Sequence, residues 1–499
     1  MKPLSWTLPP LDWTAIDAIA AGRRVVADSR RVAPGDAFLA YRGEYADGRH
    51  HIAAAVAAGA GAVLWEEEGF SWDPAWNVRN LPVANLRDQA GIVAAHLLGN
   101  PSSHMHCVGV TGTNGKTSCA SWLAQAYDVL GHKAAVVGTT GYGFIGALQE
   151  ASHTTPDAVR LQNLVAEYYA AGATHLAMEV SSHGLKQARA HGMAFEAAIF
   201  TNLSRDHLDY HGSMEDYGAS KRMLFDWEGL RHAVINVDDP FGAEILASLP
   251  AGLGLGYGVH GGDLRAERID TSLDGLHLEI ASDWGKLTLV TPLIGRFNAY
   301  NMLACLGVLL RTGVAPADAV DALSKVQPAK GRMQRMGGGD KPLILVDYAH
   351  TPDALEKALT TVREIMPENG RLFCVFGCGG DRDRGKRSIM GSIACTYADT
   401  VIITNDNPRT ENPKRIIADI LDGVGIEPGK AGTQHRGDYC VESDRAGAIR
   451  SAIELARAGD VVLIAGKGHE DYQEVNGVRH HFSDAEQAEA VLKSWRPMR

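Results

Sequence analysis

Cysteine is scarce and scattered. The seven residues, Cys107, Cys119, Cys305, Cys374, Cys378, Cys395 and Cys440, are odd in number and include no CxxC pair. That excludes a disulfide framework or a zinc ribbon and fits a reducing compartment, so a cytoplasmic protein is expected. Long hydrophobic runs are missing too. The opening MKPLSWTLPPLDW lacks the apolar core of a secretory signal. The uncharged stretch from Ile52 to Trp65 is mostly Ala and Gly and is too short to cross a bilayer. Positive charge is not in excess: 48 Lys and Arg against 59 Asp and Glu leave a net charge of −11. Neither nucleic acid nor a membrane surface is therefore an expected partner, although a local basic cleft can still hold an anionic small molecule. Repeats and low-complexity tracts are absent.

What is present is an ordinary folded composition, 45% hydrophobic and 21% charged over 499 residues. At roughly 150 residues per domain this predicts about three domains. Short β-branched runs alternate with Ala/Leu-rich helical stretches. Ala197-Ala-Ile-Phe, Leu343-Ile-Leu-Val, Val401-Ile-Ile-Thr and Val461-Val-Leu-Ile-Ala are such runs. The alternation predicts an α/β fold of βαβ units with mostly parallel sheets. Turn-rich breaks at Gly99-Asn-Pro-Ser-Ser and at Gly331 to Asp340 divide the chain into residues 1–100, 101–336 and 337–499. The apolar/polar alternation of Gly252 to Trp284 predicts an antiparallel insertion in the central block.

The strongest motif opens that block. Strand-like His106-Cys-Val-Gly-Val-Thr leads into Gly112-Thr113-Asn114-Gly115-Lys116-Thr117-Ser118 and then into a helical run. Backbone N–H groups of such a loop wrap phosphate oxygens, helped by the helix N-terminus. Lys116 would reach the terminal phosphates of ATP and Thr117 would ligate Mg²⁺. The loop is shorter than the GxxxxGK[ST] form, whose first Gly would fall on Val110.

Further candidates sit where strands should end. Glu179 follows Leu176-Ala-Met, and His207 follows Asn202-Leu-Ser-Arg-Asp. Carboxylate, imidazole and threonine hydroxyl suit a Mg²⁺ that also holds phosphate. Asn298 and Asn301 share one face of a helix start, where an amide pair can read the edge of adenine. Asp347 ends a strand and can accept from ribose hydroxyls. Neither HExxH nor an NKxD guanine-reading motif occurs, which disfavours a zinc hydrolase and a GTPase-like switch.

Several motifs in order carry a family resemblance. GTNGKTS at the phosphate loop, Met178-Glu-Val-Ser-Ser-His-Gly-Leu, Thr201-Asn-Leu-Ser-Arg-Asp-His-Leu-Asp, Asp347-Tyr-Ala-His-Thr-Pro-Asp, Asp406-Asn-Pro-Arg-Thr and Gly466-Lys-Gly-His-Glu-Asp-Tyr-Gln resemble those of the Mur ligases. These ligases add amino acids to the peptidoglycan precursor. The resemblance implies three domains: an N-terminal α/β domain, a central P-loop-type ATPase domain and a C-terminal Rossmann-like α/β domain. It implies a monomer that uses ATP and Mg²⁺, an acyl-phosphate intermediate and a carbamylated Lys221 as metal ligand. It assigns Arg332 to ATP phosphate. Ser29, Glu44, Tyr45 and Ala46 are assigned to the UDP substrate, and Thr154, Thr155, Ser181, Gln187 and Arg189 to its muramoyl dipeptide. The chain departs from the usual family pattern at His153 and at Glu44 to Ala46.

The amine to be added is implied by the last domain. Asp406-Asn407-Pro408-Arg409 follows a strand, and Pro makes that loop rigid. Arg409 offers a fork to one carboxylate. Arg382 is placed to hold a second anionic group, and Gly466 and Glu470 to reach a distal ammonium. Two carboxylates and two amines describe meso-2,6-diaminopimelate, and family members that add it carry DNPR. The competing readings are a lysine-adding member, a folylpolyglutamate synthase-like ligase and a non-catalytic P-loop switch.

Overall fold

The computed structural model describes residues 8–44, 46–424 and 438–496. Two compact units form. One holds the chain up to Glu267 with Ile280–Leu287 and Tyr300–Lys325, and the other holds Arg268–Glu279, Thr288–Ala299 and the chain from Val326 onward.

Two sheets are built mainly from residues of the first unit. A small parallel sheet has the strand order Val25–Val26, Ala37–Ala40, Ala62–Glu66, Arg79–Val83. Its middle strands are fully buried, which is why they read as unbroken apolar runs. Half-buried Trp72 and Trp76 cover one face beside Trp65 and Phe70.

The second sheet has eleven strands and a parallel heart. His106–Thr111 lies between Ala197–Phe200 and His175–Glu179, with Val110 opposite Glu179 and Thr111 opposite Phe200. His232–Asn236 and Ala134–Gly138 extend it on either side, again parallel. This register brings Thr111, Glu179 and Phe200 to one edge, the C-terminal edge where open α/β sheets place their chemistry. The apolar faces close over Leu176, Met178, Phe195 and Phe200, all buried.

One expectation is corrected here. Gly254–Gly258 pairs parallel with His232–Asn236, and Leu264–Ser272 pairs parallel with it in turn. The segment from Gly252 therefore begins as a continuation of the parallel sheet. Only Leu264–Ser272, Gly275–Ser282 and Gly285–Thr291, joined by two-residue links, have hairpin connections. The alternating pattern reported one wet face and said nothing about strand direction.

In the second unit a six-stranded sheet has the order Gln334–Gly337, Leu343–Asp347, Val461–Ala465, Leu372–Phe376, Thr400–Ile403, Asp438–Val441. The first pair is antiparallel and the rest are parallel. The expected break at 336 falls within its first strand. Strand ends at Asp347, Ala465, Phe376 and Ile403 feed the loops that carry the remaining motifs. No helix among the described residues is long and apolar enough to cross a membrane.

Candidate active site

The phosphate loop is shaped by main-chain necessity. Gly112 has φ +145° and Gly115 has φ +91°, backbone that a Cβ strains. Space excludes side chains as well: a Cβ on Gly112 would strike the Thr201 hydroxyl, and one on Gly115 the Asn301 amide. The adjacent strand end straps the loop. Thr201 Oγ1 donates to Asn114 O at 2.6 Å, Asn114 N to Asn202 Oδ1 at 3.0 Å, and Ser204 N to Thr113 Oγ1 at 2.9 Å. Lys116 Nζ is held at the loop by Gly112 O at 2.7 Å and Thr113 O at 2.8 Å. Thr117 and Ser118 occupy the first turn of helix Lys116–Val129, both buried.

Lys221 arrives from helix Met214–Arg222. Alone in the sequence it reads as a solvated lysine, yet it is 1% exposed. Its Nζ donates to the same Gly112 O at 2.8 Å and lies 4.2 Å from the Tyr217 ring centroid. Burial, with the nearby Lys116 ammonium, pushes Lys221 well below the usual lysine range. Glu179 is equally buried, and its carboxylate accepts from Thr139 N at 2.7 Å and Thr139 Oγ1 at 3.1 Å. Gly138 has no Cβ because that space belongs to this carboxylate. His207 precedes the short helix Leu208–His211 at φ +53°, beside Asp206 at 3.4 Å and against the His183 ring. His211 is a different kind of histidine. It is buried between Ser182 Oγ at 2.9 Å and Ser220 Oγ at 3.4 Å, and burial holds it down to about 4.

The residues assigned to the muramoyl dipeptide do gather. Thr154 Oγ1 meets Thr139 Oγ1 at 3.1 Å, which ties it to Glu179. Thr155 Oγ1 donates to Glu179 O at 2.9 Å and accepts from Ser181 N at 3.0 Å. Ser181 also caps helix Ser182–Lys186. Arg189 reaches Thr155 O at 2.9 Å and Gln187 Oε1 at 2.8 Å. Gln187 in turn donates to the Glu44 carboxylate and to Tyr210 OH. His153 is held through its backbone, with both N and O bonded to Tyr142 OH. Ser29 begins a short 3₁₀ turn capped by Asp28, and Ala46 accepts from Gly43 N. Tyr45 lies outside the described residues.

Asn298 and Asn301 lie on helix Arg296–Arg311 and are buried. Asn298 Nδ2 donates to Ile294 O at 2.7 Å, while the Asn301 amide packs on Gly115. In the second unit Asp347 accepts from Met333 N at 2.7 Å and Ala349 N at 2.9 Å. Burial raises its carboxyl above the usual range, against the pull of Arg332 and the two N–H groups. The Arg332 guanidinium stacks 4.7 Å from the Tyr348 ring centroid.

The C-terminal candidates form a charged cluster. Arg409 has φ +50° and donates to Gly380 O at 2.8 Å, with Glu474 3.9 Å away. Asn407 Nδ2 donates to Glu470 Oε2 at 2.9 Å. The Asp406 carboxylate occupies the space a Cβ on Gly466 would need. Pro408 O similarly abuts Gly380. Arg382, by contrast, is exposed and donates to the neighbouring Asp381 O.

Comparison with known proteins decides the family. Three domain models match in order: the Mur ligase family catalytic domain over residues 23–97, the Mur ligase middle domain over 110–309, and the Mur ligase glutamate ligase domain over 331–468. A UDP-N-acetylmuramoyl-L-alanyl-D-glutamate–2,6-diaminopimelate ligase from Chromobacterium violaceum is 56% identical, covering 99% of each chain. The chain belongs to the Mur ligase family. A relative of the same name from Neisseria meningitidis serogroup B is 52% identical, over 96% of this chain and 97% of that one. A solved structure of a UDP-N-acetylmuramoyl-L-alanyl-D-glutamate–2,6-diaminopimelate ligase is 39% identical with TM-score 0.69, over 94% of each chain. The ADP complex of MurF from Thermotoga maritima, at 21% identity, shares the fold with TM-score 0.62, over 94% of this chain and 96% of that one.

Set against this Mur ligase fold, the residues missed by reading the sequence are the buried supports. Arg445 pairs with Asp484 at 2.7 Å, both side chains wholly buried. It also reaches Ala465 O at 3.0 Å and Asn405 O at 3.3 Å, the residues just before Gly466 and Asp406. Thr139, Thr201 and Lys467 are supports of the same kind. Thr201 and Lys467 lie within the family motifs, which gave the only signal for them; Arg445, Asp484 and Thr139 carry no local mark of burial.

Proposed function

We infer that the chain is an ATP-dependent, ADP-forming amide ligase of peptidoglycan precursor synthesis. It joins meso-2,6-diaminopimelate to UDP-N-acetylmuramoyl-L-alanyl-D-glutamate. The observation that carries this is 56% identity across 99% of the chain to a ligase of that name. The D-glutamyl carboxylate attacks the γ-phosphate of ATP, giving an acyl phosphate and ADP. The amine then attacks the acyl carbon, and the tetrahedral intermediate collapses to amide and phosphate.

The residue roles proposed with it come from the motifs of the family. The Gly112-to-Ser118 loop holds the phosphates, and Lys116 balances the charge that develops on the transferred group. Asn298, Asn301, Arg332 and Asp347 are assigned to the nucleotide. Ser29 and Glu44 to Ala46 are assigned to the uridine diphosphate. Thr154, Thr155, Ser181, Gln187 and Arg189 hold the dipeptide, so that proximity supplies much of the rate. Asp406 to Arg409, Arg382, Gly466 and Glu470 hold the diaminopimelate.

Mg²⁺ fits the donor set. The Thr117 hydroxyl and the buried Glu179 carboxylate are hard oxygen ligands, and His207 supplies an imidazole. Lys221 is a buried amine pushed toward its neutral form, which is the form that combines with CO₂ to give an anionic carbamate. When bound, the metal shields phosphate charge from the attacking carboxylate. The enzyme acts as a cytoplasmic monomer, without membrane or nucleic acid.

The test offers several amino acids to the UDP-linked dipeptide with ATP and Mg²⁺ and follows phosphate release and product mass. Diaminopimelate-dependent release is expected. Phosphate release indifferent to the dipeptide, or a preference for lysine or a folate substrate, overturns the reading.

A further inference from the structure

Lys467 has no role in the scheme above, yet it is the most enclosed cation of the acceptor cluster, with a side chain 0% exposed. Its ammonium has three neighbours. Nζ donates to Asn407 Oδ1 at 3.0 Å and to Glu470 Oε2 at 3.3 Å, and it lies 5.4 Å from the Tyr472 ring centroid. Two of the three are residues assigned to the acceptor amino acid. The Asn407 amide closes the ring: its Nδ2 donates to that same Glu470 oxygen at 2.9 Å, while its Oδ1 also takes Glu474 N at 2.9 Å. Among the described residues both bonds to the Glu470 carboxylate fall on Oε2.

We propose that Lys467 is a positioning residue for amine addition: its ammonium pins the Glu470 carboxylate and the Asn407 amide in the arrangement that receives the distal ammonium of the acceptor. This rests on the ligase reading.

The charge balance supports it. The groups facing Glu470 come from four segments: Asp406 beyond strand Thr400–Ile403, Tyr348 beyond strand Leu343–Asp347, Tyr472 at the start of strand Tyr472–Val475, and Lys467 on its own loop. Arg445 acts on both carboxylates from helix Arg445–Leu455. Burial and the Asp406 carboxylate push Glu470 above the usual range, and Lys467 and Asn407 oppose them. Without the lysine the two carboxylates face each other with less compensation, and Glu470 holds a proton to higher pH. A protonated Glu470 loses its attraction for an ammonium.

The experiment measures diaminopimelate KM from pH 6 to 9 for wild type, Lys467→Met, Lys467→Arg, Glu470→Gln and the Lys467→Met/Glu470→Gln double variant, each as a ratio to wild type at the same pH. Lys467→Met should raise KM about tenfold near pH 7, with the ratio falling as pH rises, and leave the KM for ATP within about twofold. Glu470→Gln should raise KM about tenfold in wild type but less than about twofold on top of Lys467→Met. Lys467→Arg keeps the charge, so its ratio should stay flat with pH; this arm is independent of how well the Met variant folds. A pH-independent Lys467→Met ratio, multiplicative losses in the double variant, or a pH-dependent ratio in Lys467→Arg overturns the proposal. A wild type that does not ligate diaminopimelate overturns the ligase reading itself, and the inference with it.

Discussion

The phosphate loop, with half-buried Lys116 and buried Lys221, and the acceptor cluster, with buried Lys467, hold their lysines differently. Lys116 and Lys221 rest on main-chain oxygen, sharing Gly112 O. Lys467 rests on side chains, an amide and a carboxylate contributed by separate segments. The first arrangement is set by one local turn whose glycines leave few alternatives. The second needs two loops, those that follow Asn405 and Ala465, to be brought together by the sheet and by the Arg445–Asp484 pair behind them. The proposed phosphate site is built from backbone, and the proposed amine site from side chains, which can change without disturbing the sheet.

The contrast is most exposed at Lys116. Lys116→Ala removes the charge aimed at the transferred phosphoryl group while the loop keeps its shape, so ligation should fall by about a thousandfold with an unchanged melting temperature. Near-normal phosphate release in that variant would place the phosphate site elsewhere. Lys221→Ala should cost on the order of a hundredfold, with partial recovery on adding a short carboxylate, because the proposed carbamate is an anion. Intact-mass measurement showing plain lysine in the nucleotide-bound enzyme would refute the carbamate.

Arg409→Ala should act on selection alone. Diaminopimelate KM is expected to rise about tenfold while weak use of lysine changes less than about threefold, since lysine lacks the carboxylate the guanidinium would hold. An unchanged ratio of the two substrates would remove Arg409 from specificity.

The smallest effect separates scaffold from site. His175 sits at the opposite end of the strand that ends in Glu179, stacked on His106 and His132. Burial, aided by those two rings, depresses it from 6.5 to about 3. The folded protein thus refuses a proton that the unfolded chain accepts below pH 6.5, and stability is lost as pH falls from there toward 3. At pH 5 the contribution is about 1–2 kcal/mol. His175→Gln should flatten that part of the melting-temperature profile and leave turnover at neutral pH alone. A profile as steep as wild type would assign the acid sensitivity to other groups.

Local patterns in the sequence determined a good deal. Buried parallel strands such as Val461–Ala465 and Leu372–Phe376 announce themselves because both faces are covered and every position is apolar. The phosphate loop is legible because a turn with two left-handed positions needs glycine, and a lysine and threonine opening a helix are the residue types that suit phosphate and metal. What only the tertiary structure decided lies beyond local pattern. The direction of Gly254–Gly258 depends on which strand it meets, and alternation is the same for either direction. Lys221 and Lys467 look like surface lysines one residue at a time. Burial is a property of what packs from elsewhere: Tyr217 and Gly112 O around the first, Asn407 and Glu470 around the second. Sequence order records covalent neighbours, whereas the field at a charged atom is the sum over spatial ones, so the chain's motifs could propose candidate residues without giving their charge states.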